Sequence, residues 1–224
     1  MDLIGRPAPT LVGLPAGIVD AWRMPLRPES PALARWKEAL SDPERIHAAR
    51  MRVAGTAWAG ARGALRAILA HYLDVPAASL EFERSRLGKP HLVGHATPQF
   101  SVAWREDLAL VGVASDRAVG VDLERERDGA DVGALARDHL SPLEQAAIVH
   151  SPPEEQRSAF FAAWARHEAR RKLHGLALED PLPPLARDAV VIVRALEVPA
   201  GWAAAVAAEG SAWRVRAREA IEIA

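Results

Sequence analysis

Residues 119–124 run Val119-Gly120-Val121-Asp122-Leu123-Glu124. Side chains alternate along a strand, so Val119, Val121 and Leu123 face one side, and Gly120, Asp122 and Glu124 face the other. The first side asks for an apolar core. The second presents two carboxylates two residues apart, which repel one another unless a cation lies between them. Oxygen-only ligands suit Mg²⁺, which takes few protein carboxylates and completes its shell with phosphate oxygens and water. The same residues also fit a solvated strand end, because Glu124 leads into the charged run Arg125-Glu126-Arg127-Asp128.

Working outward, the apolar run Leu108 to Ala114 precedes the turn Ser115-Asp116-Arg117, and the two flanking runs predict a β-hairpin. Gln99 to Trp104 and Ser79 to Glu83 alternate as strands do, and Gly17 to Met24, bounded by Pro15 and Pro25, predicts another strand. Ser30-Pro31 opens a short helix to about Leu40, and Ser41-Asp42-Pro43-Glu44 opens a helical stretch to about Leu73 with a break near Gly55. On that stretch Arg62 and Arg66 share a face. Downstream, Asp131 caps a short helix ending near Leu140, and Ser141-Pro142-Leu143-Glu144 is a capping box. Ser151-Pro152-Pro153-Glu154 predicts the start of a long helix that ends at Gly175. Pro181 to Pro184 reads as a loop, and residues 189–197, 202–207 and 213–218 read as strands. Strand, helices and strands thus occur twice in order. This predicts an α+β fold of two similar α/β halves, residues 1–115 and 116–224.

Composition narrows the function classes. The chain has 224 residues, half of them apolar and a quarter charged, with a formal net charge of −1. That balance offers no broad basic surface to nucleic acid. Without cysteine there is no disulfide framework, thiolate zinc site or Cys nucleophile. The first residues lack a charged region followed by an apolar one, and no apolar window is long enough to span a bilayer, so a cytoplasmic protein without a membrane partner is expected. Among 28 basic side chains only Lys37, Lys89 and Lys172 are lysines.

Two further stretches carry candidate chemistry. Trp164, Glu168 and Lys172 lie four apart and form one helical stripe, which also fits a core Trp followed by a surface Glu–Lys pair. Gly88-Lys89-Pro90 predicts a turn that holds an ammonium in place, where it can serve an anion as a point charge. Other motifs are missing: there is no G-x-G-x-x-G and no G-x-S-x-G, and His167-Glu168 is followed at position 171 by Arg, which excludes H-E-x-x-H.

In combination and in order, Gly88-Lys89-Pro90, Gly120-Val121-Asp122-Leu123-Glu124 and Trp164-Ala165-Arg166-His167-Glu168-Ala169-Arg170-Arg171-Lys172 resemble the 4′-phosphopantetheinyl transferases. The length and two-half layout look like the single-chain, Sfp-type branch, and the resemblance runs from about Glu44 to Ala207. It implies a pseudo-twofold fold with coenzyme A between the halves. It also implies Mg²⁺-dependent transfer of phosphopantetheine to a Ser of an acyl or peptidyl carrier protein, with release of 3′,5′-ADP. Asp122, Glu124 and Glu168 would hold Mg²⁺, Glu168 would act as base, and Lys172 would stabilise the leaving phosphate. Lys89, Arg62 and Arg66 would contact coenzyme A. One chain carries both halves, so a monomer suffices.

Two departures stand out. The family pattern F-N-x-S-H-S is here Phe100-Ser101-Val102-Ala103-Trp104-Arg105, so Trp104 replaces a His, and its ring fits a packed aromatic more readily than a stack on adenine; Arg105 points the opposite way along the strand. His167 replaces a Lys and can still donate to phosphate when protonated, less dependably at pH 7 than a Lys. These departures leave open a non-catalytic member that binds a carrier protein or coenzyme A.

Overall fold

The computed structural model describes residues 11–28, 30–51, 54–128, 131–176, 180 and 190–219; the expected loop Pro181–Pro184 lies outside them. The first half begins with β1 (Ile18–Pro25), followed by α1 (Pro31–Glu38), α2 (Asp42–Arg50) and α3 (Gly55–Leu73). The small hairpin β2 (Phe82–Arg84) and β3 (Pro90–Leu92) comes next, then β4 (Gln99–Arg105) and β5 (Leu108–Ala114). The second half holds β6 (Val119–Arg125), α4 (Val132–His139), α5 (Pro142–His150), α6 (Gln156–His174), β7 (Val191–Ala195) and β8 (Trp202–Glu209). The last described strand, β9 (Arg214–Glu219), returns to the first sheet and pairs parallel to β1. Buried Asp20 on β1 anchors it by accepting from Arg216 Nε and Nη2, at 2.5 and 2.7 Å.

Strand order is β4-β5-β1-β9 in the first sheet and β6-β8-β7 in the second. Alternation along the strands builds three apolar layers. Trp22, Met24, Val111 and Val113 pack under α1 and α3 with Trp36, Leu65, Ile68 and Leu69. Val19, Ala21, Leu110 and Ala114 meet Val119, Val121, Leu123 and Val206 between the sheets. Ala203, Ala205 and Ala207 receive Phe160, Phe161, Ala165 and Ala169 of α6. The order is therefore helices, sheet, sheet, helices. In each half a 19-residue helix, α3 or α6, covers the outer face of its sheet. This is the expected mixed α+β arrangement of two α/β halves. Among the described residues no helix is long and apolar enough to cross a membrane.

Three local expectations are corrected. The runs on either side of Ser115-Asp116-Arg117 form no hairpin: β5 pairs with β4 and β1, and β6 pairs with β8. Both edges of β5 are thus taken. The intervening residues carry the chain between sheets, pinned where Asp116 Oδ2 accepts the Gly17 N–H at 3.1 Å and Arg117 Nη1 donates to the Glu209 carbonyl at 3.0 Å. The long helix starts at Gln156 rather than at Ser151-Pro152, because Pro153 disfavours helical geometry at the residue before it. Between Ser79 and Glu83 the strand is confined to β2, preceded by a 3₁₀ turn at Ala77–Ser79. The helix break near Gly55 and the caps at Asp131 and Ser141 are present as expected.

Candidate active site at the crossing of β6 and α6

Gly120 sets the geometry. A Cβ at this position would stand 2.1 Å from the Ala169 carbonyl oxygen and 2.3 Å from the Leu173 nitrogen, so only glycine lets the α6 backbone lie directly on β6. The close approach brings the carboxylate face of β6 under the Glu168–Lys172 stripe. Lys172 Nζ donates to Asp122 Oδ1 at 2.6 Å. Asp122 and Glu124 are both buried. Asp122 Oδ2 and Glu168 Oε1 are buried without a hydrogen-bond partner, although Arg171 Nε lies 3.6 Å from Glu168 Oε1.

These carboxylates perturb one another. Burial pushes the Glu168 carboxyl above its usual range, the Asp122 charge adds to the effect, and Lys172 and Arg171 oppose it. Glu124 is likewise raised by burial and by Asp122, against Arg105 and Arg127. Arg105 Nη2 donates to both Glu124 oxygens, at 2.9 and 2.8 Å, and Arg127 Nη1 reaches Oε2 at 3.4 Å. The sequence had turned Arg105 away from Trp104, as the strand requires. What it lacked was that this side of β4, bearing Ser101, Ala103 and Arg105, packs on β6. Ser101 Oγ there accepts the Val121 N–H at 3.1 Å.

Lys89 lies across the same seam. Its Nζ donates to the Val119 carbonyl at 2.9 Å and the Leu173 carbonyl at 3.0 Å, and burial lowers its pKa to about 8. The Gly-Lys-Pro turn thus clips the first half onto the start of β6 and the C-terminal end of α6. Arg66 is also committed within the fold: it donates to Glu44 at 2.7 Å and to the Ala77 and Leu80 carbonyls at 2.8 and 3.0 Å. Arg62 shares Glu44, with its guanidinium carbon 3.9 Å from the Phe82 ring centroid. Burial opposes ionisation of Glu44, but bonds from Arg66, the Ser41 N–H and Arg62 hold it below the usual carboxylate range.

Two cavities flank this seam. One of about 520 Å³ is lined by His47, Trp58, Arg62, Phe82, Arg84 and Trp104, among others. The second, about 330 Å³, is lined by residues that include Lys89, Ser101, Lys172 and Leu176. Arg84, Pro90 and Val102 line both, so the two adjoin along a cleft face from α2 and α3 to the end of α6. Trp104 faces into this cleft. His167 lines neither cavity. Its ring centroid lies 5.9 Å from that of Trp164 and 6.4 Å from that of His139, and burial, then Arg171, lowers its pKa.

The structure therefore brings Asp122, Glu124, Glu168 and Lys172 together and puts Arg62, Trp104 and Lys89 along the adjoining cleft. His167 packs among aromatic rings and Arg66 inside the first half. Sequence reasoning missed Arg105, Arg127 and Glu44 as partners of these groups.

A sequence profile of the 4′-phosphopantetheinyl transferase superfamily matches residues 118–199, the stretch containing β6 and α6. The chain is 30% identical over 174 residues to the 4′-phosphopantetheinyl transferase HetI of Nostoc sp., covering 75% of this chain and 73% of HetI. It is 32% identical over 141 residues to the L-aminoadipate-semialdehyde dehydrogenase-phosphopantetheinyl transferase of Eremothecium gossypii, covering 60% of this chain and 51% of that protein. The profile match spans the strand that carries Asp122 and the helix laid across it, and with the likeness to HetI it shows that the chain belongs to the 4′-phosphopantetheinyl transferase superfamily.

Proposed function

We propose that this protein transfers 4′-phosphopantetheine from coenzyme A to the hydroxyl of a carrier-protein Ser, releasing 3′,5′-ADP. The observation that carries this reading is the group of buried Asp122 and Glu124 and half-buried Glu168, with Lys172 bonded to Asp122 and lining the smaller of two adjoining cavities. Phosphoryl-type transfer asks of a protein mainly that it position the nucleophile and neutralise charge.

An all-oxygen donor set with two buried, hydrogen-bond-free oxygens, Asp122 Oδ2 and Glu168 Oε1, suits Mg²⁺. Asp122, Glu124 and Glu168 would hold it, and when bound it supplies charge neutralisation on the diphosphate. Glu168 takes the proton from the Ser hydroxyl, for which a carboxylate made more basic by burial is suited. The Ser oxygen then bonds to the phosphorus bearing pantetheine, and the bond from that phosphorus to the bridging oxygen breaks. Lys172 faces the negative charge gathering on the leaving 3′,5′-ADP. Arg62 and Trp104 serve the nucleoside end from the wall of the larger cavity. The partner is an acyl or peptidyl carrier protein, and one copy of the chain is sufficient for the cleft.

Intact-mass analysis tests this directly. An apo carrier protein incubated with the protein, coenzyme A and Mg²⁺ should gain the mass of phosphopantetheine, and the gain should vanish in Asp122→Ala. Retained carrier binding with no mass gain on any carrier would instead identify a non-catalytic member.

A further inference from the structure

Glu124 does not stand open to a metal. One nitrogen, Arg105 Nη2, sits between its two oxygens at 2.9 and 2.8 Å, in the notch that a chelated cation would use. Arg127 adds a weaker contact at 3.4 Å, and Lys172 holds Asp122 Oδ1 at 2.6 Å. Held by these cations, the three carboxylates do not converge into a preformed cage: among the described residues no three acidic, His or Cys groups do so. The cations already outnumber the carboxylates: Asp122, Glu124 and Glu168 face Arg105, Arg127, Arg171 and Lys172.

A divalent cation arriving alone would therefore add two positive charges to a cluster that already holds one cation more than it has carboxylates, and would have to displace a guanidinium from Glu124. A cation arriving with a diphosphate brings its own compensating charge, and the anion offers the displaced guanidinium a new partner of matching fork geometry. The Arg105 side chain is 40% exposed, so it has room to move. Resting on the transferase reading above, we infer that Arg105 couples metal binding to coenzyme binding. Its guanidinium holds Glu124 in the free protein and transfers to a diphosphate oxygen when a divalent cation takes the carboxylate. Arg105 is thus a residue that makes the metal site conditional on substrate. Coupling of this kind is reciprocal: coenzyme A must tighten the metal by the factor by which the metal tightens coenzyme A.

The test uses the full chain and Mn²⁺ as the probe, with free Mn²⁺ followed by electron paramagnetic resonance. Wild type, Arg105→Gln, Arg105→Met and Asp122→Asn are titrated with and without coenzyme A. Without coenzyme A, Mn²⁺ should bind the Arg105 variants at least about fivefold more tightly than wild type. Coenzyme A should tighten Mn²⁺ strongly in wild type and much less in the variants. Unchanged or weaker Mn²⁺ binding in the variants overturns the inference, because Arg105 would then only hold Glu124 in place. If both Arg105 variants lose the far-ultraviolet circular dichroism of the fold, the pair is a structural strut and the inference is equally overturned. The transferase reading fails separately, if wild type binds Mn²⁺ no better than Asp122→Asn even with coenzyme A present.

Discussion

Replacing Gly120 with Ala adds one methyl group at the contact on which the site depends. The new Cβ would lie 2.1 Å from the Ala169 oxygen, 2.3 Å from the Leu173 nitrogen and 2.8 Å from the Leu173 Cα. All three are backbone atoms of one helix, so no side chain can rotate away. Restoring an ordinary contact of 3.4 Å to the Ala169 oxygen requires α6 to move off β6 by about 1.3 Å. Overpacking of this kind costs about 1–3 kcal/mol. The functional loss should be larger than the stability loss suggests, because the displacement falls on Lys172 and Glu168 and leaves the rest of the molecule in place. The 2.6 Å bond from Lys172 to Asp122 would open to beyond hydrogen-bonding distance. A misplacement of about 1 Å in a catalytic constellation can cost on the order of 100-fold in rate. Urea denaturation should show Gly120→Ala folded but destabilised, and the initial rate of carrier modification should fall by about two orders of magnitude. A variant with wild-type stability and wild-type rate would refute the reasoning that the glycine sets the distance between strand and helix.

Other outcomes follow from single contacts. Glu44→Gln removes the charge that buried Arg66 and Arg62 share and should destabilise the first half by about 2–4 kcal/mol in urea titrations; a loss below about 1 kcal/mol would mean that the pair is compensated elsewhere. Lys89 has a folded pKa of about 8, below its ordinary value of 10.5, so the folded state holds fewer protons than the unfolded state between these values. Its contribution to stability is then full above the ordinary value and is lost as pH falls through about 8. The stability of wild type relative to Lys89→Met should rise by about 1–2 kcal/mol between pH 8 and pH 9.5, and a flat difference across that range contradicts the assignment. Trp104→His places a smaller, protonatable ring on the cleft wall and should tighten coenzyme A in calorimetric titrations. Unchanged or weaker binding would count against coenzyme A lying on that wall.

Much of this site was legible before any coordinates, for local reasons. The alternation from Val119 to Glu124 separated a core face from an acidic face, and the four-residue spacing of Glu168 and Lys172 put both on one helix stripe. Both patterns depend only on the period of their own element. Pairing between elements was less accessible. Leu108–Ala114 and Val119–Glu124 looked like hairpin partners because the turn between them is short, yet β1 and β4 had already taken the edges of β5. The same limit applies to side chains acting across the seam. Lys89 looked like a free ammonium because nothing local to Gly88-Lys89-Pro90 shows that the carbonyls of Val119 and Leu173 end beside it. Arg105 could be assigned a direction from its strand, but not a destination.

In the proposed reaction Glu168 takes the Ser proton and Lys172 meets the charge on the leaving group, while the cleft binds the nucleotide. The most direct test is the initial rate of 3′,5′-ADP release in the presence of apo carrier protein and Mg²⁺, with coenzyme A affinity measured on the same samples. Glu168→Gln should lower the rate of release by about 100-fold or more at saturating coenzyme A and Mg²⁺, a loss beyond whatever coenzyme A affinity the missing metal ligand takes with it. Release of 3′,5′-ADP at the wild-type rate by Glu168→Gln would contradict the account.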